Sequence, residues 1–277
     1  MKKINSAALA VLAAVLFLLP GCGKEDPVTP QEFKIPDNLR LSTVYLDGKL
    51  YRKINYDKAG RVESIKEYDN GEFGRLQAWE YNEEGQVSQR WFSDAGGVFQ
   101  VVWAYEYNQN GTPRQWLVYK DIFDDPTYGA SYEYDAQGKL SARHYYSPSD
   151  PGKTLSYIHY GHDGNSNLAS KRGYIIQQDA SVYPYLEQDY HYDNPEQVAA
   201  IRKVIGDYLA ETCMFLYSAM EHTNLNSDGS ITAAYTETVN IEFNDNGLPA
   251  SATVNNLRTH PQAQEKTLVC TYEYSEL

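Results

Sequence analysis

The sequence Tyr132-Glu133-Tyr134-Asp135-Ala136-Gln137-Gly138-Lys139-Leu140 contains the most complete copy of a repeated unit. Its central unit is an aromatic residue, then Asp or Asn, two variable residues and Gly, and further copies begin at Tyr56, Tyr81, Tyr107 and Phe243. Asp or Asn at the first position of a type I turn bonds back to the backbone, and Gly at the fourth adopts the left-handed conformation that closes a hairpin. Each copy therefore predicts the tip of a β-hairpin.

The spacing of the copies sets the architecture. Those starting at positions 56, 81, 107 and 134 are 25, 26 and 27 residues apart, and a second turn, such as Asp94-Ala95-Gly96-Gly97, lies between them. One period is therefore two antiparallel strands and two turns, and roughly fifteen such strands fit between Leu41 and Tyr274. Open sheets of that size tend to curl or close. We predict an all-β fold, a long up-and-down meander curled or closed into a barrel.

The residues before the turns alternate regularly. Examples are Trp79-Glu80-Tyr81, Tyr105-Glu106-Tyr107, Tyr132-Glu133-Tyr134 and Tyr272-Glu273-Tyr274. Successive side chains of a strand point to opposite faces, so one face is aromatic near the turns and the other carries Glu. The pattern predicts one packed face and one face in water.

One segment departs from the strand pattern. Asn194 and Pro195 offer a helix start, and apolar residues recur at helical spacing afterwards, which predicts an inserted helix over about 195–210 that caps one end of a barrel. Residues 212–224 either continue this helix or form a strand facing 231–244 across the turn at 227–230. The matching lengths favour the hairpin.

The N-terminal residues predict export. Lys2 and Lys3 precede an apolar run that is too short to span a bilayer, which is typical of a signal peptide over residues 1–21. Leu19-Pro20-Gly21-Cys22 resembles the lipobox of bacterial lipoproteins, and the resemblance implies that Cys22 is acylated. Residues 22–38, with three prolines among charged residues, predict a flexible tether, and residues 39–277 the repeat domain. Lys24-Glu25-Asp26 resembles the export tag of surface-displayed lipoproteins of Bacteroidetes-type bacteria.

The charge balance limits the classes of partner that the chain can bind. The chain has a formal charge of −13, which becomes −15 once Lys2 and Lys3 are removed with the signal. No basic block is present, so the sequence excludes nucleic acid as a partner and leaves a lipid on Cys22 as the membrane attachment. Cys213 and Cys270 either form a disulfide or remain two buried apolar residues.

The aromatic content suggests a binding surface, since the chain has 25 Tyr and 4 Trp. Trp79, Trp91, Trp103 and Trp116 lie 12, 12 and 13 residues apart, one on each of four consecutive strands. They either pack inside the sheet or form an exposed platform for the apolar faces of sugars. Whether neighbours share a face depends on the register.

Signatures of catalysis are missing. The sequence has none of the common nucleophile, metalloprotease or phosphate-loop motifs, and it predicts no catalytic residue, no cofactor and no metal. Glu80, Glu106, Glu133 and Glu273 could pair as in a glycosidase, but their repetition favours the polar face of strands. His159 and His162 beside Asp163 could hold a metal, and residues 163–167 begin like a calcium loop; Leu168 then stands where glycine belongs, which favours a hairpin turn.

The repeat resembles the YD repeats of large bacterial shell-forming proteins and teneurins, which build continuous curled sheets. Together with the lipobox, the chain resembles uncharacterised Bacteroidetes lipoproteins of similar length with a porin-like β-fold. A membrane-embedded barrel is an alternative that the charged residues in strands such as 49–57 and 138–146 oppose.

The sequence thus predicts an outer-membrane, lipid-anchored protein on the cell surface, with the periplasmic face as the alternative. Its predicted function is that of a non-catalytic binding or assembly module, with glycans as a possible ligand. The alternatives are a structural envelope component that docks onto an outer-membrane partner and a carbohydrate-active enzyme.

Overall fold

A computed structural model describes residues 35–36, 38–120, 124–205 and 214–276. The predicted signal peptide, Cys22, most of the tether, the end of the helix prediction at 206–210 and Cys213 lie outside these residues. Within the described residues Cys270 is a buried free thiol.

The described residues form sixteen strands and one helix, α1 (Pro195–Ile205). The strands are β1 (Leu39–Leu46), β2 (Lys49–Tyr56), β3 (Val62–Asp69), β4 (Glu72–Tyr81), β5 (Val87–Asp94), β6 (Phe99–Tyr107), β7 (Pro113–Tyr119), β8 (Tyr128–Tyr134), β9 (Leu140–Ser147), β10 (Asp150–His162), β11 (Leu168–Ile176), β12 (Val182–His191), β13 (Ala219–Leu225), β14 (Ile231–Phe243), β15 (Pro249–His260) and β16 (Gln264–Glu276). Each pairs antiparallel with the next, and β16 pairs with β1, so the sheet closes into a barrel. The predicted meander and its closure are confirmed.

The repeat turn has the predicted geometry. In the copy at Asp135, the Gly138 amide donates to the Asp135 carbonyl oxygen at 3.0 Å, and the Asp135 carboxylate accepts from the amides of Gln137 and Lys139 at 2.9 and 2.8 Å. Gly138 has a φ of +79°. The left-handed residue is what returns the chain into β9.

The same turn occurs twice without glycine. The Ser166 amide donates to the Asp163 carbonyl oxygen, and the Ala180 amide to that of Gln177. Ser166 and Ala180 have φ values of +68° and +64°. The predicted hairpin turn at 163–167 is therefore confirmed, and it has the form of the repeat turn.

Helix α1 begins where Asn194 accepts a hydrogen bond from the Gln197 amide at 3.2 Å. Its buried residues Val198, Ile201 and Ile205 belong to one core with apolar side chains of β1–β4 and β14–β16. The core strand residues are Leu41, Val44, Ile54, Ile65, Trp79, Val239, Ala252, Val254, Cys270 and Tyr272. The helix therefore packs on the inner face of the barrel, which we call the lumen face.

The helix also closes one end of the barrel. The Asn167 side chain donates to the Pro195 carbonyl oxygen at 2.9 Å, and the Gln197 side chain donates to that of Gly247 at 3.1 Å. Both contacts reach repeat turns, so the helix caps the end of the barrel that carries them, which we call the repeat end. The chain enters β1 at this end, because Leu39 pairs with Glu276. The preferred hairpin is confirmed for Ala219–Leu225, which pairs with β14, whereas residues 214–218 of the segment are not in a strand and residues 212–213 lie outside the described residues.

Candidate ligand-binding site

The four tryptophans do not share a face. Directly paired residues of neighbouring strands point to the same side, and Trp79 pairs with Arg90, which pairs with Trp103. Because Trp79 belongs to the core beneath α1, these side chains lie on the lumen face. Trp116 pairs with Tyr105, two residues after Trp103, and lies there too.

Trp91 lies on the opposite, outer face. It pairs with Ala78 on one side and Val102 on the other. The register shifts between Glu80 and Tyr81 and between Glu106 and Tyr107, so parity counted through the turns does not give the faces. The predicted band is thus divided, with three rings inside and one outside.

The lumen tryptophans are part of an aromatic row. The Trp103 and Trp116 rings are stacked, with centroids 4.6 Å apart and an interplanar angle of 19°. Tyr128 and Tyr145 continue the row, and their rings are stacked at 5.7 Å. Trp116 is only 3% exposed to solvent. These rings pack against one another, as expected of a barrel interior.

Trp91 borders a cavity of about 760 Å³ on the outer face, within the size range of small-molecule sites. The Trp91 and Phe99 rings meet edge to face, with centroids 5.2 Å apart. The lining residues are Glu63, Ser64, Leu76, Ala78, Trp79, Glu80, Trp91, Ser93, Phe99, Val102 and Lys120. The cavity offers an aromatic and aliphatic surface with two carboxylates, two hydroxyls and one ammonium at its border.

The predicted polar face is present. Glu80, Glu106 and Glu133 lie on the outer side, since each alternates with a lumen-facing aromatic residue. Arg114 forms an ion pair with Glu106, and the hydrogen bond from Arg114 lowers the pKa of that carboxyl. His144 lies 3.1 Å from Glu133, and Glu273 accepts from the Tyr45 hydroxyl at 3.3 Å. Glu106, Glu133 and Glu273 therefore each contact a different side chain.

The histidines flank a tyrosine. On the outer face, Tyr157 stacks with His144 at 5.8 Å and meets His159 edge to face at 5.1 Å. The Asp163 carboxylate is occupied by the amides of Asn165 and Asn167, both at 2.8 Å. Among the described residues, no three His, Cys, Asp or Glu side chains are grouped as metal ligands.

The inward-facing cations of the lumen are not evident from the sequence. The Arg90 guanidinium lies 4.5 Å from the Phe92 ring centroid, and Arg143 lies 5.1 Å from that of Tyr132. Glu67 forms ion pairs with Arg52 and Arg75. Their position follows from which residues of each strand face inward, and only the observed register shows that.

The geometry defines the class of fold: a closed sixteen-stranded antiparallel barrel with an internal helix. Similar solved structures are a porin-like protein from Bacteroides uniformis ATCC 8492 and one from Bacteroides vulgatus ATCC 8482. The first is 14% identical over 85% of this chain and 96% of that chain, with a TM-score of 0.50. The second is 15% identical over 86% and 99%, with a TM-score of 0.49. At this identity the likeness concerns the fold.

No protein-family model matches the chain, and no curated protein matches it at a significant level. In the described part of the chain, α1 does not have the length and apolar character needed to cross a bilayer.

Proposed function

We propose that the chain is a lipid-anchored lipoprotein of the outer membrane, displayed on the cell surface, whose barrel is a non-catalytic binding module for glycans. The observation that carries the binding role is the outer-face cavity around Trp91. Flat aromatic rings suit the apolar faces of sugars, and carboxylates beside them suit sugar hydroxyls. The cavity combines Trp91 and Phe99 with Glu80 and Ser93.

The lipid anchor rests on Cys22 and its preceding residues. The barrel begins at Leu39, so a tether of about sixteen residues separates the two. The chain enters β1 at the repeat end, so the anchor would join the barrel at that end.

The outer face of the barrel supports a location in water. Glu106, Glu133 and Glu187 lie there, as do Arg172 and its ion-pair partner Asp189. Charged side chains on a face in contact with lipid cost several kcal/mol each near the bilayer centre. The anchor rather than the barrel would thus hold the protein on the membrane.

The test is binding of the full-length protein, purified in detergent, to a glycan array, followed by titration of each hit with tryptophan fluorescence as the readout. A saturable hit should weaken at least about tenfold in Trp91→Ala, because the variant loses the aromatic surface. Phe243→Ala is the control, since it removes an aromatic ring on another part of the barrel that does not border the cavity. Silence across the array, or equal binding by Trp91→Ala, would contradict the glycan proposal.

One observation favours glycoside hydrolysis as a second candidate: Glu63 and Glu80 both border the cavity. Both are exposed, whereas a catalytic acid is usually desolvated so that it stays protonated. Release of reducing sugar from an array hit, and its loss in Glu80→Gln, would establish the enzyme.

A docking role is favoured by a different observation. Val98, just before β6, and Phe99, the first residue of that strand, are each 62% exposed. If the array is silent, Phe99→Ser should release an outer-membrane protein that co-purifies with the wild type.

A further inference from the structure

Among the described residues, the half-buried Arg143 of the lumen face forms no ion pair with a carboxylate. Arg143 pairs with Tyr132 on β8 and Ile158 on β10, which places it on the same face as Trp116 and Tyr145. None of the ion pairs among the described residues includes it. Its Nε is buried without a hydrogen-bond partner there.

Aromatic side chains surround this cation. The guanidinium lies 5.1 Å from the Tyr132 ring centroid and 5.7 Å from that of Tyr160, and Nη1 reaches the Tyr145 hydroxyl at 3.5 Å. Burial raises the pKa of Tyr132, and also that of Tyr105. Both phenols are therefore protonated near neutral pH, so neither supplies a negative charge to Arg143.

The same part of the barrel wall contains no inward-facing acid that could balance the charge. Strands β6 to β9 contain two acidic residues, Glu106 and Glu133, and both lie on the outer face. A second cation, Arg90, forms a hydrogen bond with Tyr105, and both guanidinium groups interact electrostatically with that tyrosine. A chain with a formal charge of −13 thus places the charge of Arg143 on a section of the lumen wall where β6 to β9 supply no inward-facing carboxylate.

Removing a cation from water without a counter-charge is expensive, and such groups are normally paired. A guanidinium presents a planar fork of N–H donors that matches carboxylate and sulfate oxygens. Arg143 keeps part of its exposure, and Tyr145 beside it stacks on Tyr128. A sugar ring could lie along those aromatic rings while its acidic group meets the arginine.

We propose that the barrel lumen contains an oxyanion-binding site centred on Arg143, which takes the carboxylate or sulfate group of an acidic sugar. The site lies on the opposite face of the sheet from the Trp91 cavity and involves different residues. It therefore does not depend on the glycan proposal for the outer face.

The experiment titrates full-length protein in detergent with sodium glucuronate and with sodium sulfate at constant ionic strength, and follows binding by calorimetry and tryptophan emission. At least one anion should bind saturably, whereas glucose and chloride should not. Glucuronate without sulfate would identify a carboxylate site, and sulfate alone a site for sulfate esters. If neither anion binds the wild type saturably, the proposal is wrong.

Two substitutions locate the site. Arg143→Met should weaken binding at least about tenfold, and Arg143→Lys, which keeps the charge but loses the fork, should weaken it to an intermediate degree. Arg114→Met is the matched control, because that arginine is exposed and paired with Glu106. Unchanged binding in Arg143→Lys and Arg143→Met, or an equal loss in Arg114→Met, would overturn the assignment. Trp91→Ala should leave anion binding unchanged.

Discussion

The Tyr81 hydroxyl donates a 2.8 Å hydrogen bond to the carbonyl oxygen of Val62. Val62 is the first residue of β3 and Tyr81 the last of β4, so the bond joins the two strands beyond their last paired residues, Ser64 and Ala78. The relationship recurs in Tyr56 to Leu41, Tyr107 to Val87, Tyr134 to Pro113, Tyr192 to Leu168 and Tyr274 to Pro249. It gives the tyrosine of the repeat a structural role: it ties neighbouring strands at the repeat end.

Tyr81→Phe should therefore destabilise the barrel by about 1 kcal/mol, because the Val62 carbonyl oxygen loses its donor while the ring stays in place. Burial raises the pKa of Tyr81 to about 12, so the wild-type hydroxyl is protonated at neutral pH and can donate. Urea unfolding measures the loss.

The control for that substitution is Tyr68→Phe, since the Tyr68 ring contacts Phe73 and its hydroxyl has no hydrogen-bond partner among the described residues. Equal losses of stability in the two variants would contradict the role assigned to the tyrosine hydroxyls at the repeat end.

The repeat turns that lack glycine offer a second prediction. Ser166→Gly should stabilise the barrel by up to about 1 kcal/mol, because a non-glycine residue at a φ of +68° is strained. Gly138→Ala should destabilise it by a similar amount, since it creates the same strain at +79°. Thermal unfolding of both variants should shift in opposite directions; shifts of the same sign would refute the equivalence of the two turns.

Most of the fold could be predicted because its signals are local. Asp135 and Gly138 account for the geometry of the turn at 135–138. The strands follow from the alternation of side chains over a few residues. The faces of the tryptophans could not be predicted, because they depend on register shifts beside both kinds of turn, between Glu80 and Tyr81 and between Phe92 and Ser93. Trp91 and Trp103 look alike in sequence and lie on opposite sides of the sheet.

The candidate sites were harder still. Trp91 was found as an aromatic residue, but its cavity depends on Leu76, Phe99 and Val102 from neighbouring strands. Arg143 stands in an unremarkable polar stretch, and only the pairing of β8, β9 and β10 brings Tyr132 and Tyr160 to it. Sites of this kind depend on the register between neighbouring strands, which the sequence of a single strand does not determine.

Glu67 gives the barrel a predicted pH dependence. Its burial opposes ionisation, but the hydrogen bond from Arg75 and the charges of Arg52 and Arg75 outweigh it and lower the pKa of the carboxyl. The ion pairs therefore stabilise the fold at pH values above the unfolded-state pKa of Glu, and this contribution is lost as the pH falls through the folded-state value. Stability measured from pH 7 to pH 3 should fall less steeply in Glu67→Gln than in the wild type. Parallel curves would show that Glu67 does not contribute.

Cys270 should be unreactive in the folded protein. The residue is only 2% exposed, and burial raises the pKa of its thiol to about 11, so little thiolate exists at pH 8. Iodoacetamide followed by peptide mass spectrometry should modify Cys270 in urea but not under native conditions. Modification at the same rate in both would contradict its place in the core.

If a lipid on Cys22 holds a water-exposed barrel on the membrane, as we propose, then Cys22→Ala should release the protein. The variant should be exported, separated from membranes without detergent and recovered as a folded soluble protein, whereas the wild type should stay with the outer-membrane fraction and incorporate labelled palmitate. Folded Cys22→Ala protein that remains in the membrane after an alkaline carbonate wash would contradict the account, because the barrel itself would then be in lipid.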